Sequence, residues 1–364
     1  TTLFRSMRTK LSLLLILACL LYNLSFAAED PALKAKLSEK QLQRAAEFKK
    51  VLKTGQGYRS GVYIYTKRSI DDYLKTPEVL AARLAVLGFT DVYLGSEKAL
   101  SGKSDDYLKW QKAFIEEAHL YGMKVHALRL SSARLYVEDM RVLDDCKLVI
   151  DYNYSVKKKQ RFDGVSADSE PHILKKGFID YPKGLTLYWD SKNNFGKGKD
   201  NDLLLKRTVE VMRMAQKELK PLPLSQALGF FFQPRVDNGL LEHGGAKEFL
   251  QYCNQLIVMA YNYKAERVFE MAKPILVAAG DKEKTVSVCV KTSLGTVGDE
   301  GPITSFQTHG WDYMINALQF LMDKSSQFVS FRGIDKFQIK GFKKMWKYYE
   351  KNNNNHIYIK NTIK

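Results

Sequence analysis

The chain has 364 residues, 45% of them hydrophobic and 12% aromatic, and a formal net charge of +17. That length and apolar fraction provide for one large domain with a sizeable core and exclude a mostly disordered chain. The charge suits acidic partners such as nucleic acid, anionic envelope polymers or a membrane surface, without naming one. The 4 cysteines are too few for a disulfide scaffold.

In chain order, the first segment reads as an address. Arg8 and Lys10 precede an apolar run from Leu11 to Leu24, and Ser25-Phe26-Ala27 offers small residues at a cleavage spacing. The pattern predicts a secretory signal peptide over residues 1–27 and export to the periplasm, the cell surface or the medium. The run is short for a membrane span, and the apolar stretch beyond Cys19 argues against a lipid anchor at that residue. Removing the segment takes Arg5, Arg8 and Lys10 and no acid from the +17, which leaves +14. Cys146, Cys253 and Cys289 remain, an odd number best read as buried apolar side chains with no required disulfide.

Residues 28–57 carry a helical spacing and predict a lead-in helix. Short β-rich runs then alternate with amphipathic segments. The predicted strands are Gly61–Tyr65, Asp91–Leu94, Lys124–Arg129, Phe162–Asp168, Ser225–Phe232, Gln255–Ala260, Thr285–Val290 and Phe328–Phe331. The predicted helices are Pro77–Gly88, Asp106–Gly122, Val137–Ser155, Asn201–Lys220, Gly245–Cys253, Glu266–Gly280, Gly310–Lys324 and Gly341–Lys351. Gly88 and Gly122 stop their helices, while Pro77 and Asn201 stand at helix starts. This alternation predicts a parallel eight-stranded (β/α)8 barrel over residues 58–351, followed by a disordered Asn- and Lys-rich tail, 352–364. An open doubly wound sheet is the competing architecture. Its dinucleotide-binding version lacks the glycine-rich turn after the first strand.

In such a barrel, chemistry sits at the C-terminal ends of the strands. The fourth strand runs through Phe162-Asp163-Gly164-Val165-Ser166-Ala167-Asp168-Ser169-Glu170-Pro171. Strand alternation puts Ser166, Asp168 and Glu170 on one face. If that face is inward, two carboxyls converge at the mouth. They cannot both ionise freely, so one is raised and can serve as a general acid. Asp163 has the opposite parity and suits a backbone-orienting role. A structural acid pair and a metal site completed by His172 or His126 are the alternatives, and barrel context favours catalysis or sugar binding.

The stretch Phe162-Asp163-Gly164-x-x-x-Asp168-x-Glu170 resembles the strand-four signature of family 18 glycoside hydrolases, the chitinase and endo-β-N-acetylglucosaminidase group. Met259-Ala260-Tyr261-Asn262 resembles the same group's Met-x-Tyr-Asp/Asn motif on strand six. The pattern is also similar to a poorly characterised exported bacterial branch related to these hydrolases. The resemblance implies that Glu170 protonates the glycosidic oxygen and that the substrate's own 2-acetamido carbonyl attacks the anomeric carbon. It implies that Asp168 orients the acetamido group and that Tyr261 donates to its oxygen. Asn262 would help hold the sugar, with Asp163 in support. The sequence departs from the family at Ser166, where the signature has an acid, and at Ser169, where an aromatic is common. The predicted last strand, running into Arg332-Gly333, also lacks the Trp that floors the sugar pocket in many chitinases.

Other residues are candidates for the pocket. Tyr63 and Tyr65 share a face of strand one, His126 lies on strand three, and Phe232-Gln233 closes the predicted strand five. Core packing is the competing role for each. The long stretch from Pro171 to Asp200 carries Phe178, Tyr181, Tyr188 and Trp189, which could stack on sugar rings or on one another. Lys157-Lys158-Lys159 and Lys175-Lys176 read as solvated basic faces, and no nucleic-acid motif accompanies them. The sequence therefore predicts an exported hydrolase of N-acetylhexosamine-containing glycans that uses no cofactor and no metal. The +14 surface could hold it near anionic envelope polymers. A catalytically inactive, lectin-like glycan-binding barrel is the alternative. A metal-dependent hydrolase using Asp168, Glu170 and a histidine is a third reading. Nothing in the sequence fixes an oligomeric state.

Overall fold

The computed structural model describes residues 30–174, 188–190, 199–294 and 301–351. The predicted signal segment, the tail 352–364 and the aromatics Phe178 and Tyr181 lie outside the described residues. Eight strands are present: β1 Gly61–Ile64, β2 Asp91–Gly95, β3 Lys124–Arg129, β4 Gly164–Ala167, β5 Leu224–Gly229, β6 Gln255–Met259, β7 Val286–Lys291 and β8 Phe331–Phe337. They pair in sequence order and close β8 onto β1, every pair parallel. Parallel neighbours need a crossover, and helices supply it. Pro77–Val86, Asp105–Leu120, Asp139–Ser155, Lys199–Leu219, Ala265–Ala278 and Trp311–Ser325 fill six of the seven crossovers, and Ile339–Lys351 follows β8.

Two predicted elements are corrected. The eighth strand lies later than Phe328–Phe331. Phe328 to Ser330 form a turn in which the Ser330 hydroxyl donates to the Leu276 carbonyl at 2.7 Å. The strand proper carries Asp335 and Lys336, both buried, whose charges hid it from a hydrophobic reading. Strand five ends at Gly229 rather than Phe232. Phe232–Asp237 is a short helix, and with Ala246–Phe249 it replaces the single longer helix expected before β6.

Strand alternation divides the apolar residues into two cores. One lies between the strands and the helices. The other fills the barrel interior with Tyr63, Tyr93, Leu128, Ile257 and Cys289, flanked by Tyr261 and Phe337. The lead-in helix, Glu39–Val51, begins with a reciprocal cap. Gln41 N–H donates to the Ser38 hydroxyl at 3.3 Å, and Ser38 N–H donates to the Gln41 side chain at 2.7 Å. Its Phe48 is fully buried, with ring centroids 5.8, 5.4 and 5.3 Å from Phe89, Trp311 and Phe342. Deleting such a ring costs roughly 3–5 kcal/mol, so this helix is part of the barrel's packing. Cys146, Cys253 and Cys289 are all buried and free, as the sequence predicts. Among the described residues, no helix is long and apolar enough to cross a membrane.

Candidate active site

Gly164 explains the opening of the strand-four motif. A Cβ there would stand 2.7 Å from the Pro223 carbonyl oxygen and 2.9 Å from His126 Nδ1, so only glycine lets β4 close against its neighbours. From Gly164 the chain alternates to Ser166 and then Asp168. Ser166 is fully buried and has no well-aligned hydrogen-bond partner. Its polar neighbour is the Tyr63 hydroxyl.

Asp168 and Glu170 stand just beyond β4, both half-buried. Their backbone is clamped from two sides. Asp168 N–H donates to the Arg129 carbonyl at 3.2 Å, and the buried Ser169 hydroxyl donates to the Leu130 carbonyl at 2.6 Å. Gln226 Nε2 donates to the Ser169 carbonyl at 2.9 Å. Ser169 is thus a strut between loops, which accounts for a small polar residue at this point. Burial pushes the Asp168 carboxyl up to about 6, while a hydrogen bond from Tyr65 pulls the other way. Tyr65 itself is raised, first by burial and then by the charges of Asp168 and Glu170. It remains a protonated donor at the mouth.

Glu170 Oε1 lies 3.6 Å from His172 Nε2. Burial first, and the Arg235 charge second, press His172 down to about 4. Its ring packs edge-on against Phe231 and Phe232, with centroids 5.2 and 5.8 Å away. At neutral pH it is therefore a neutral imidazole beside the acid rather than a counter-ion.

Tyr261 joins the two acids from β6's end. Its hydroxyl is pushed well up by burial, then by Cys289, Tyr63, Asp168 and Glu170. The phenol therefore keeps its proton, and it is hydrogen-bonded to the buried Cys289. Phe337, the last residue of β8, stacks on the Tyr261 ring at 5.8 Å and 24°. It meets Tyr63 and Tyr65 edge-on at 5.6 and 6.0 Å. Phe337 thus puts an aromatic ring at the end of the last strand, beside Tyr261. The sequence reading missed it because it ended β8 six residues early. Lys291, at the end of β7, is also buried here, its ammonium 5.5 Å from the Tyr261 ring centroid. The alternation Ser287-Cys289-Lys291 was the signal that could have found it.

Several expected pocket residues are placed elsewhere. Asp163 lies at the start of β4 and does not reach the mouth. It accepts from Val125 N–H at 2.7 Å and contacts His119 Nε2 at 2.9 Å. These contacts outweigh its burial and lower its carboxyl below the ordinary value. Trp189 is 9% exposed and spends its ring on Phe231 and Phe232, 6.3 and 5.6 Å away, so it offers no open face to a sugar. Tyr63 lies inside the barrel beneath the mouth, 4.5 Å from Tyr93 by centroid. Asn262 stands beside Tyr261, but its side-chain oxygen accepts from Lys264 N–H at 2.9 Å and braces the loop. His126 sits deep in the barrel, 3.1 Å from Asp91, and cannot join Asp168 and Glu170 around a metal. Among the described residues, the one grouping with metal-ligand spacing is Asp202, Glu242 and His243, apart from the acid pair. Gln233 braces its own helix and the next one, through Asp237 at 2.7 Å and Ala246 N–H at 2.7 Å.

No protein-family model matches the chain, and no curated protein matches it. Solved structures with a similar fold include a GH18 chitinase from Pseudoalteromonas aurantia, with 14% identity over 80% of this chain and 99% of that one, at a TM-score of 0.48. The spore cortex-lytic enzyme SleL of Bacillus megaterium QM B1551 is 10% identical over 81% of this chain and 74% of its own, at 0.45. An endo-β-N-acetylglucosaminidase from Cordyceps militaris is 12% identical over 83% and 86%, at 0.42. These likenesses concern the barrel. A D-psicose 3-epimerase from Clostridium cellulolyticum H10 is 14% identical over 77% of this chain and 84% of its own, at 0.40.

Proposed function

We propose that this chain is a glycoside hydrolase acting on N-acetylhexosamine-containing glycans, with Glu170 as its acid. The observation that carries the reading is the placement of Asp168 and Glu170 at one barrel mouth, with both charges acting on the Tyr261 hydroxyl. In the proposed reaction the Glu170 carboxyl gives its proton to the glycosidic oxygen as the bond to the anomeric carbon breaks. The substrate's acetamido oxygen forms the new bond to that carbon, giving an oxazolinium ring. Asp168 holds the acetamido N–H and offsets the positive charge, while Tyr261 donates to the acetamido oxygen. Glu170, now a carboxylate, takes a proton from water as that water opens the ring. The raised Asp168 suits this role, since it gains most from an N–H and a cation arriving beside it. Phe337 supplies the apolar floor under the ring. The protein is proposed to be exported, and its basic surface to favour anionic envelope polymers.

The test is a pair of tetrasaccharides, one of β-1,4-linked N-acetylglucosamine and its fully de-acetylated counterpart. The reading expects cleavage of the first with retention at the anomeric carbon and none of the second. Equal cleavage of both would refute the acetamido mechanism. Binding of the first without any cleavage would establish the lectin-like alternative.

A further inference from the structure

The end of the barrel opposite the mouth is basic over one sector. Lys124 opens β3, Lys157, Lys158 and Arg161 lie in the connection that leads to β4, and Lys220 lies just before β5. Strand order puts these connections side by side. Asp163 N–H and Val165 N–H tie them together, donating to the Val125 and Pro223 carbonyls at 2.9 Å each. All five basic side chains are exposed, and among the described residues none of them is ion-paired. The acids around them are already matched: Glu116 by Lys159, Glu117 by Lys34 at 2.6 Å and Asp163 by His119 at 2.9 Å. Glu218, two residues before Lys220, offsets one of the five.

Bases alone on a surface are ordinarily solvated. Here large apolar side chains stand uncovered among them. Leu33, Leu120 and Tyr154 are 72%, 55% and 81% exposed. Leu120 ends its helix four residues before Lys124, and Tyr154 lies three residues before Lys157. Leu33 adjoins Lys34, whose ammonium reaches Glu117 on the last turn of the helix that Leu120 ends. Bases and apolar groups together match the two layers of a membrane surface, phosphates outside and acyl chains beneath. A soluble polyanion would answer the bases and leave the apolar groups in water. The course of the chain points the same way. Residues 30–35 are held beside this sector by the Lys34 contact and by Arg83 Nε, which donates to the Ala35 carbonyl at 2.9 Å. Leu24, at the end of the apolar run, is six residues before Asp30, a chain length of about 20 Å. A run that enters a membrane during export therefore delivers this end of the barrel to the surface first.

We propose that this sector docks the barrel on an anionic lipid bilayer, with the mouth turned away from the headgroups. The acids Asp168 and Glu170 at the other end favour the same orientation, since an anionic surface repels them. The docking does not depend on the reaction proposed for the mouth.

The test is flotation of the full chain with vesicles of mixed phosphatidylglycerol and phosphatidylcholine, and with vesicles of phosphatidylcholine alone. Binding is expected to the mixed vesicles only, and it should weaken as salt is added. The variant K124E/K157E/K158E/R161E should lose about a hundredfold or more in affinity. The same charge change toward the mouth end, K98E/K103E/K109E/K206E, should cost less than about tenfold, because those positions lie beyond the reach of the surface potential. Leu120→Ser with Tyr154→Ser, both at exposed positions, should lower affinity by about tenfold. Melting transitions confirm that each variant is folded. An equal loss in the two charge-reversal variants would overturn the proposal. Equal binding to both kinds of vesicle, kept by K124E/K157E/K158E/R161E, would give the membrane contact to the N-terminal run and overturn it too. Tighter binding to soluble polyphosphate than to the mixed vesicles, with no effect of the Leu120 and Tyr154 changes, would assign the face to a polyanion instead of a bilayer.

Discussion

The two ends of the barrel hold aspartates in opposite states. At the N-terminal end, Asp91 is 1% exposed, yet its carboxyl lies far below the ordinary range. Burial would raise it, but Arg59 meets it through Nε and Nη2, each at 2.8 Å, and His126 lies at 3.1 Å. At the C-terminal end, Asp168 has a tyrosine hydroxyl instead of a guanidinium, and burial pushes it up to about 6. The same side chain is a fixed anion where an arginine matches it and a raised carboxyl where its hydrogen bond comes from a tyrosine. In the proposed reaction it is the raised carboxyl at the open end that meets the acetamido group.

Breaking the closed end should have the largest effect on stability. Asp91→Ala leaves Arg59, Arg332 and His126 without the carboxylate they share and should cost about 3–5 kcal/mol, read by chemical denaturation. Phe337→Ala, at the open end, should cost less, about 2–3 kcal/mol for a half-buried ring, and should raise KM for the tetrasaccharide. Asp168→Asn should do the reverse of Asp91→Ala. A carboxyl raised on folding destabilises the fold once pH exceeds its unfolded value near 4, and most fully above 6. The variant should therefore gain on the order of 1 kcal/mol at pH 8, and the gain should vanish below pH 4, while turnover falls. His172 titrates in the opposite sense. Its neutral form is favoured by folding, so it contributes a stability loss as pH falls from 6.5 to about 4. His172→Gln should flatten that part of the curve by about 1 kcal/mol. Asn262→Ala should cost least, about 0.5–1 kcal/mol, because it removes one exposed turn bond.

Much of the open end was legible in the sequence. Alternation alone placed Asp168 and Glu170 together after β4, and the β6 motif brought Tyr261 to them. The closed end was not legible, because its partners are remote in the chain. Asp335 accepts from Gly61 N–H at 2.7 Å and from Tyr93 at 3.0 Å, and Lys336 donates to the Ser60 hydroxyl at 2.6 Å. Without those contacts in view, two charges in a row read as surface, and β8 was placed too early. Phe337 was lost from the pocket by the same error. Trp189 shows the converse failure. An aromatic in a long connection looked available for a sugar, but Phe231 and Phe232 from the next crossover cover it.

The most direct test of the central claim is the turnover of the N-acetylglucosamine tetrasaccharide by the wild type and by Glu170→Gln, each confirmed folded by its melting transition. If Glu170 is the acid at an open mouth built for proton exchange, the substitution should lower kcat by about 10²–10⁴ with the melting temperature little changed. Wild-type turnover in Glu170→Gln would contradict the account.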